Sequence, residues 1–172
     1  MEKFNIGIET ERKYIIKMPD FNVISAQKGY SKSEILQIYL SGAEGETRRI
    51  RRRIFDDKIQ YTETRKIRIN AASSTEMERE ITKEEFDSVK SLALQGYTPI
   101  EKSRFTFIYN NQLFEIDVYP NWTKTAILET ELDSPDKIVE FPDFIKIIRE
   151  VTGNKAYSNA GMSRAFPKED IL

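Results

Sequence analysis

Hydrophobic and polar residues alternate with period two along most of this chain, and turn-forming residues interrupt the alternation at regular intervals. The opening run from Phe4 to Ile16 puts Ile6, Ile8, Thr10, Arg12 and Tyr14 on one face of an extended strand. Glu9, Glu11 and Lys13 fall on the other. After Met18-Pro19, Asp20 is placed to cap a short helix ending near Gly29. Further strands are expected at 33–40, 46–55 and 58–69, separated by the turn cluster 41–45 and a tight turn at Asp56-Asp57. A small-residue loop at 70–74 leads to a strand at 75–81. Thr82-Lys-Glu-Glu85 has the form of a capping box, and the helix behind it, with Phe86, Val89, Leu92 and Ala93 at helical spacing, is expected to reach about Gln95 and stop at Gly96. Strands at 98–109 and 112–119 flank an Asn110-Asn111 hairpin turn, another follows at 125–133, and a last helix is expected at 141–152, stopping at Gly153.

Eight strands joined mostly by hairpins, with three helices between or after them, describe an α+β, mainly β chain. The expected architecture is one eight-stranded antiparallel barrel with a few covering helices. No repeat, low-complexity tract or linker divides it, so residues 1–172 read as a single domain. Eight strands is also the number at which a barrel interior can just hold a small ligand.

The charged faces recur. The third strand carries Arg49, Arg51 and Arg53 on one face, with Arg48 and Arg52 beside Ile50 and Ile54 on the other. The fourth groups Thr62, Thr64 and Lys66, and the fifth Glu76, Glu78 and Glu80. The sixth sets Lys102 and Arg104 against Phe105 and Phe107, the seventh Glu115 and Asp117 against Phe114, Ile116 and Val118, and the eighth Glu129 and Glu131 against Leu128 and Leu132. A closed barrel has one inside and one outside. The ordinary arrangement is apolar inside and charged outside, a barrel suited to carrying a lipid. The reverse needs helices to cover apolar outer faces, and the amphipathic segments around Phe86 and Phe144-Ile147-Ile148 would do so. The pattern alone leaves both open.

Composition narrows the chemistry. The chain has 27 Lys and Arg against 28 Asp and Glu, so specificity must come from segregating charge and not from net charge. It has no cysteine and no histidine, which excludes disulfides, thiol chemistry, Cys/His zinc sites and a histidine base. The start, Met-Glu-Lys-Phe-Asn-Ile-Gly-Ile-Glu, meets its acid too early for a signal peptide, and no stretch approaches about 18 apolar residues, so a cytoplasmic location is expected. Were the charge inside, clustered carboxylates would call for a hard cation such as Mg²⁺ or Mn²⁺, and clustered Arg and Lys for a polyanion. Both in one cavity imply a metal-bound polyphosphate.

The ordered motifs resemble a known family. Glu9-x-Glu11-x-Lys13 is similar to the ExExK signature of the CYTH proteins, also called triphosphate tunnel metalloenzymes. In order, Arg49-Ile-Arg51, Thr64-Arg-Lys66, Glu78-Arg-Glu80, Lys102-Ser-Arg104, Asp117 and Glu129-Thr-Glu131 resemble that family's later motifs, and 151–159 resembles its ending. ExExK alone is weak; seven motifs in register across nearly the whole chain are not. The resemblance implies an eight-stranded tunnel with a charged lumen. It implies that Lys13, Arg49, Arg51, Lys66, Lys102 and Arg104 hold a triphosphate, with Glu78 and Glu80 also lining the substrate. It further implies that Glu9, Glu11, Asp117, Glu129 and Glu131 hold one or two divalent metals, with Glu9, Glu11, Lys13, Lys66, Glu129 and Glu131 catalytic.

The function expected on that basis is Mg²⁺- or Mn²⁺-dependent hydrolysis of a small-molecule triphosphate, inorganic triphosphate first. A class IV adenylate cyclase making cyclic AMP from ATP is the runner-up, and thiamine triphosphate and RNA 5′-triphosphate are further substrates of the same kind. A non-catalytic polyphosphate- or nucleotide-binding module would need the basic set but not the acidic one. Nucleic-acid binding through residues 48–53 is the weakest reading. No stable nucleic-acid partner and no membrane association are expected, and the chain is expected as a monomer or homodimer. Tyr39 and Tyr157 read as packing residues with a polar tip, Asn159 as a cap, and Lys155 as a lid contact.

Overall fold

The computed structural model describes residues 4–169. Met1 to Lys3, with which the reading of the start began, and residues 170–172 lie outside the described residues. Eight strands form the barrel: β1 (Asn5–Lys17), β2 (Ser31–Leu40), β3 (Glu46–Phe55), β4 (Lys58–Arg68), β5 (Ser73–Glu80), β6 (Ile100–Tyr109), β7 (Gln112–Val118) and β8 (Thr125–Glu131). Their order is β5-β4-β3-β2-β6-β7-β8-β1, and an additional β5–β1 pairing closes the ring with every neighbour antiparallel. The β3–β4 and β6–β7 hairpins turn on Asp56-Asp57 and Asn110-Asn111. All four residues have positive φ between 46° and 59°, the backbone of two-residue turns that match strand twist.

β1 closes the barrel by changing partners. Asn5 to Thr10 pair with β5, and Glu11 to Lys17 pair with β8, starting at Glu11 opposite Glu131. The edge that β5 leaves is taken over by a ninth strand, β9 (Ile147–Glu150), against Tyr14 to Ile16. This corrects the helix expected at 141–152. Phe144, Ile147, Ile148 and Val151 suit a helix by spacing, but the unpaired backbone of β1 claims this segment as a strand, with the Val151 amide donating to the Lys13 carbonyl at 2.8 Å.

The helices are shorter than expected, and the third lies beyond 141–152. α1 (Phe21–Ser25) is capped by Asp20, whose side chain accepts from the Asn22 amide. α2 (Lys83–Val89) opens with the full Thr82/Glu85 capping box and passes into a 3₁₀ turn at Lys90–Leu92. It does not reach Gln95, because the chain bridges back to β2, the Leu94 amide donating to the Tyr39 carbonyl. α3 (Asn159–Arg164) is capped by Ser158.

Three apolar clusters settle which face is inside. Leu36, Ile38, Leu40, Ile50 and Ile81 pack under Phe86 of α2, on the outer face of the sheet. Tyr14, Ile16, Phe107, Phe114, Ile116 and Leu128 pack under α1 and the Val139, Phe141, Phe144 and Ile145 segment, also outside. The third is internal: Ile15, Tyr39, Ile100 and Ile127 meet Tyr119, Trp122, Tyr157 and Met162 and fill one end of the barrel. The apolar faces therefore point outward and are largely covered, which removes the lipid-carrier arrangement. A short stretch of that outer face stays bare, with Ile6 and Ile8 about 70% exposed.

Candidate active site

Strand alternation and register bring the charged faces together. With the apolar faces outward, the odd positions of β1, β2, β3, β7 and β8 and the even positions of β4, β5 and β6 face the lumen. They line a cavity of about 370 Å³, with Glu9, Glu11, Glu129 and Glu131 along the β1–β8 wall and Arg49, Arg51 and Lys66 along β3 and β4. Seven acids and seven bases line it in all. Near neutrality of the whole chain thus conceals a densely charged interior.

The two signs meet in ion pairs along the lumen wall, between adjacent and next-but-one strands. Lys13 Nζ lies 2.6 Å from Glu129 Oε1, and both groups are at least nine-tenths buried. Arg104 reaches Glu129 at 2.6 Å, Asp117 with two nitrogens at 2.7 and 2.8 Å, and Glu115. Lys66 contacts Glu9 and lies 3.5 Å from Glu76. Arg51 lies 3.3 Å from Glu78, which also accepts from the Thr64 hydroxyl at 2.9 Å. Arg49 approaches Glu76 only to 4.0 Å.

These neighbours set the proton affinities. Burial works against the charge on Lys13, but Glu129 and Glu11 outweigh it and raise its pKa. Burial likewise opposes ionisation of Glu129, and Lys13 and Arg104 reverse this and hold it well below the carboxylate range. Arg51 is shifted the other way from Lys13. Burial, then the crowding of Arg49 with Arg104 and Arg53, lowers its pKa to about 10, still high enough to keep it charged at neutral pH. Burial and the carboxylates Glu9, Glu115, Glu11 and Glu76 all raise Glu131. That side of the cavity therefore holds more negative charge than its lysines neutralise.

An oxygen-only donor set under mutual repulsion is chemically suited to Mg²⁺ or Mn²⁺. Among the described residues, no three carboxylates converge into a ready-made metal cage, because Lys13, Lys66 and Arg104 hold them apart. The set fits a divalent ion in the identity of its donors, and these amines and the guanidinium are the groups that binding would displace.

The fold matches several solved structures. The inorganic triphosphatase NE1496 aligns with a TM-score of 0.59 and 24% identity, over 92% of this chain and 96% of that one. This chain has its fold. The PH1819 protein from Pyrococcus horikoshii OT3 aligns at 0.51 with 18% identity, over 72% and 80% of the two chains. A putative adenylate cyclase (bh2851) from Bacillus halodurans aligns at 0.51 with 17% identity, over 76% and 83%. No protein-family model matches the sequence, and the comparison with curated proteins gives no match. The shared architecture agrees with the tunnel fold implied by the resemblance to the triphosphate tunnel metalloenzymes.

The tunnel gathers most of the expected residues and sets three apart. Glu9, Glu11, Lys13, Arg49, Arg51, Lys66, Glu78, Arg104, Glu129 and Glu131 all line the one cavity. Glu80 does not: it has the same strand parity as Glu78 but lies at the exposed end of β5, where it accepts from Gln60 at 2.7 Å. Lys102 and Asp117 sit deeper, paired to each other, 3% and 0% exposed. Burial and then Arg104 bring Lys102 down to about 8, while Asp117 opposes the shift. Asp117 is thus engaged by Lys102 and Arg104 instead of facing the cavity. Glu76, Glu115 and Arg53 line the cavity too, as strand alternation implies, and so do Gln37 and Tyr39, which carry no charge to mark them in the sequence. Tyr157 packs internally, and Asn159 accepts from the Tyr119 hydroxyl at 2.9 Å.

Proposed function

We propose that this protein is a divalent-metal-dependent triphosphatase whose substrate is inorganic triphosphate. The observation that carries the reading is one cavity lined by both signs, with carboxylates on β1, β5, β7 and β8 and guanidinium and ammonium groups on β1, β3, β4 and β6. The match in fold to a protein named an inorganic triphosphatase supports it. Lys13, Arg49, Arg51, Lys66 and Arg104 neutralise and orient the phosphate oxygens, Arg by paired donors and Lys as a point charge. Lys102 acts from behind, holding Asp117 and with it Arg104. Glu9, Glu11, Glu129 and Glu131 would hold Mg²⁺ or Mn²⁺, which when bound supplies neutralisation of phosphate charge and polarisation of water.

In the reaction, a water oxygen bonds to a terminal phosphorus as the P–O bond to the bridging oxygen breaks. The electron pair stays with diphosphate, and the water proton passes to a carboxylate. With no histidine in the chain, the more basic lumen carboxylates are the natural acceptors. Glu115, which is not among the groups assigned to the metal, has its pKa raised by burial and by the neighbouring Glu129 and Asp117. The lining favours an inorganic chain over a nucleotide. Among the described residues, Tyr39 is the only ring that lines the cavity, and it is buried with its ring 6.0 Å from Tyr97, so no free aromatic face offers a base a place to stack.

The test is a substrate panel of tripolyphosphate, ATP and thiamine triphosphate with Mg²⁺ or Mn²⁺, reading phosphate, pyrophosphate and cyclic AMP. Phosphate from tripolyphosphate, lost in Glu9→Gln, is expected. Absence of phosphate release, or release unaffected by Glu9→Gln, would overturn the proposal, and cyclic AMP from ATP would reassign it.

A further inference from the structure

One side of the barrel's outer face has no helix over it. Phe86 of α2 covers Ile38, Leu40 and Ile50, and α1 with the 139–145 segment covers Phe107, Phe114 and Leu128. The first half of β1, with β5 and the end of β4 beside it, stands bare. Its register sets the outward residues in two adjacent rows. Ile6, Met77, Arg65 and Arg48 form one, and Ile8, Thr75, Ile67 and Glu46 form the next. Ile6 and Ile8 are 70% and 72% exposed, and Ile67 and Ile69 are 45% and 54% exposed. Isoleucines this open and this close together make a patch, unlike the scattered apolar residues that any surface carries.

The charges at its edge say what fits it. Arg48 and Glu46 lie two residues apart on β3, at the same end of the two rows. Arg48 donates to Glu63 at 2.7 Å and keeps 27% of its side chain exposed, while Glu46 is in no ion pair among the described residues. A two-fold axis running along the rows, midway between them, would lay each row on the other row of a second copy. Ile6 then meets Ile8 of that copy, Met77 meets Thr75, and Arg48 meets Glu46, every contact occurring twice. The barrel is convex, so the sheets touch along β1 and β5 and part toward β3, where the long Arg and Glu side chains span the gap. From Phe4 to Thr10 and from β1 to β3 the face measures about 14 by 20 Å. With its side chains it offers on the order of 500 Å² per copy, the size of a weak and reversible interface.

We propose that this face joins two copies of the chain in a weak two-fold homodimer, with the strands of the two copies antiparallel across it. The proposal concerns the outside of the barrel and stands whether or not the lumen hydrolyses triphosphate.

Sedimentation equilibrium of the intact protein tests it. Passage from monomer to dimer is expected between about 1 and 100 µM. Ile8→Asp, which puts a charge in the apolar centre, is expected to stay monomeric. Glu46→Arg sets arginine against arginine at both ends and is expected to weaken association about ten-fold or more. Mixing Glu46→Arg with Arg48→Glu restores opposite charges at both ends, and mixed dimers are expected to return. A circular dichroism melt confirms that each variant is folded. Ile8 and Glu46 hold no ion pair, so the first two variants decide the matter even if Arg48→Glu, which loses Glu63, does not fold. A monomer throughout the range, association unchanged by Ile8→Asp or Glu46→Arg, or a folded pair of charge variants that fails to recover overturns the proposal. A monomer that sediments with phosphatidylserine vesicles, and loses them in Ile8→Asp, would give the face to a membrane and overturn it as well.

Discussion

Glu63 is the clearest place to perturb the barrel without touching the lumen. It sits on the outer face of β4, 1% exposed, and three guanidiniums converge on its carboxylate. Arg48 Nε donates at 2.7 Å, Arg65 approaches at 3.2 Å, and Arg79 donates with two nitrogens at 3.0 and 2.7 Å. Glu63→Gln keeps the shape and removes the charge that these groups share. Each charge-assisted bond is worth about 1.5–3 kcal/mol, but Arg48 and Arg65 can turn to water and Arg79 keeps Glu85 at 3.1 Å. The net loss is therefore set at about 3 kcal/mol, the lower end for breaking a buried pair. For a chain of this length that is a fall in Tm of about 6–12 °C. The pH dependence is the sharper part. Burial raises the Glu63 pKa, hydrogen bonds from Arg48 and Arg79 outweigh it, and the folded pKa lies below the ordinary value. Stability from such a group is complete above the unfolded carboxylate pKa and is lost as pH falls through the folded one. Thermal melts of the two proteins from pH 7 downward should show a gap widest near neutrality that closes in acid. A gap below about 2 °C at pH 7, or one that persists unchanged in acid, would refute the reasoning.

Further predictions concern the site and the fold around it. Chelation with EDTA should reduce phosphate release from tripolyphosphate to background, with recovery on adding Mg²⁺ or Mn²⁺; activity that survives exhaustive chelation contradicts a metal-dependent reaction. Glu129→Gln should lower kcat/KM by about 100-fold or more, since it removes a donor to the metal and takes the ion-pair partner from Lys13, and steady-state kinetics would read it. Gly153→Ala should cost about 1–3 kcal/mol, because Gly153 has φ 73° and an added Cβ would meet Ala71 Cβ at 2.9 Å, and a denaturant midpoint little changed would argue against that turn. Phe86→Ala should cost about 3–5 kcal/mol by emptying the space between α2 and Ile38, Leu40 and Ile50.

Strand alternation carried most of the fold into the sequence. β3 was legible to the residue, and its turn at Asp56-Asp57 has the positive φ that such a turn needs. What period two cannot say is which face is inside. In this chain that is decided by contacts remote in sequence, Phe86 on Ile50 and Phe144 on Phe107. β9 was misread for the same reason: its apolar spacing suits a helix, and only the free edge of β1 makes it a strand. In the site, charge marked Glu9, Lys13 and Arg49, whereas Gln37 is polar, neutral and indistinguishable from a surface residue until its burial is seen. Glu80 shows the converse, a residue of the right parity that lies one step too near the rim.

The change of partner in β1 bears on how the protein comes into being. Glu9 lies on the half that pairs with β5, opposite Ser74, and Glu11 on the half that pairs with β8, opposite Glu131. Joining the first strand to the eighth is the most distant pairing among the eight barrel strands, and distant pairings form slowly because the loop they close costs entropy before any contact is gained. A chain leaving the ribosome therefore carries the Glu11 to Lys17 half of β1 without its β8 partner until residues 125–131 are made, and the acids of β1 and β8 are brought together only at that closure. Closing the barrel and acquiring the chemistry are one event, so a partly folded molecule is also an inert one.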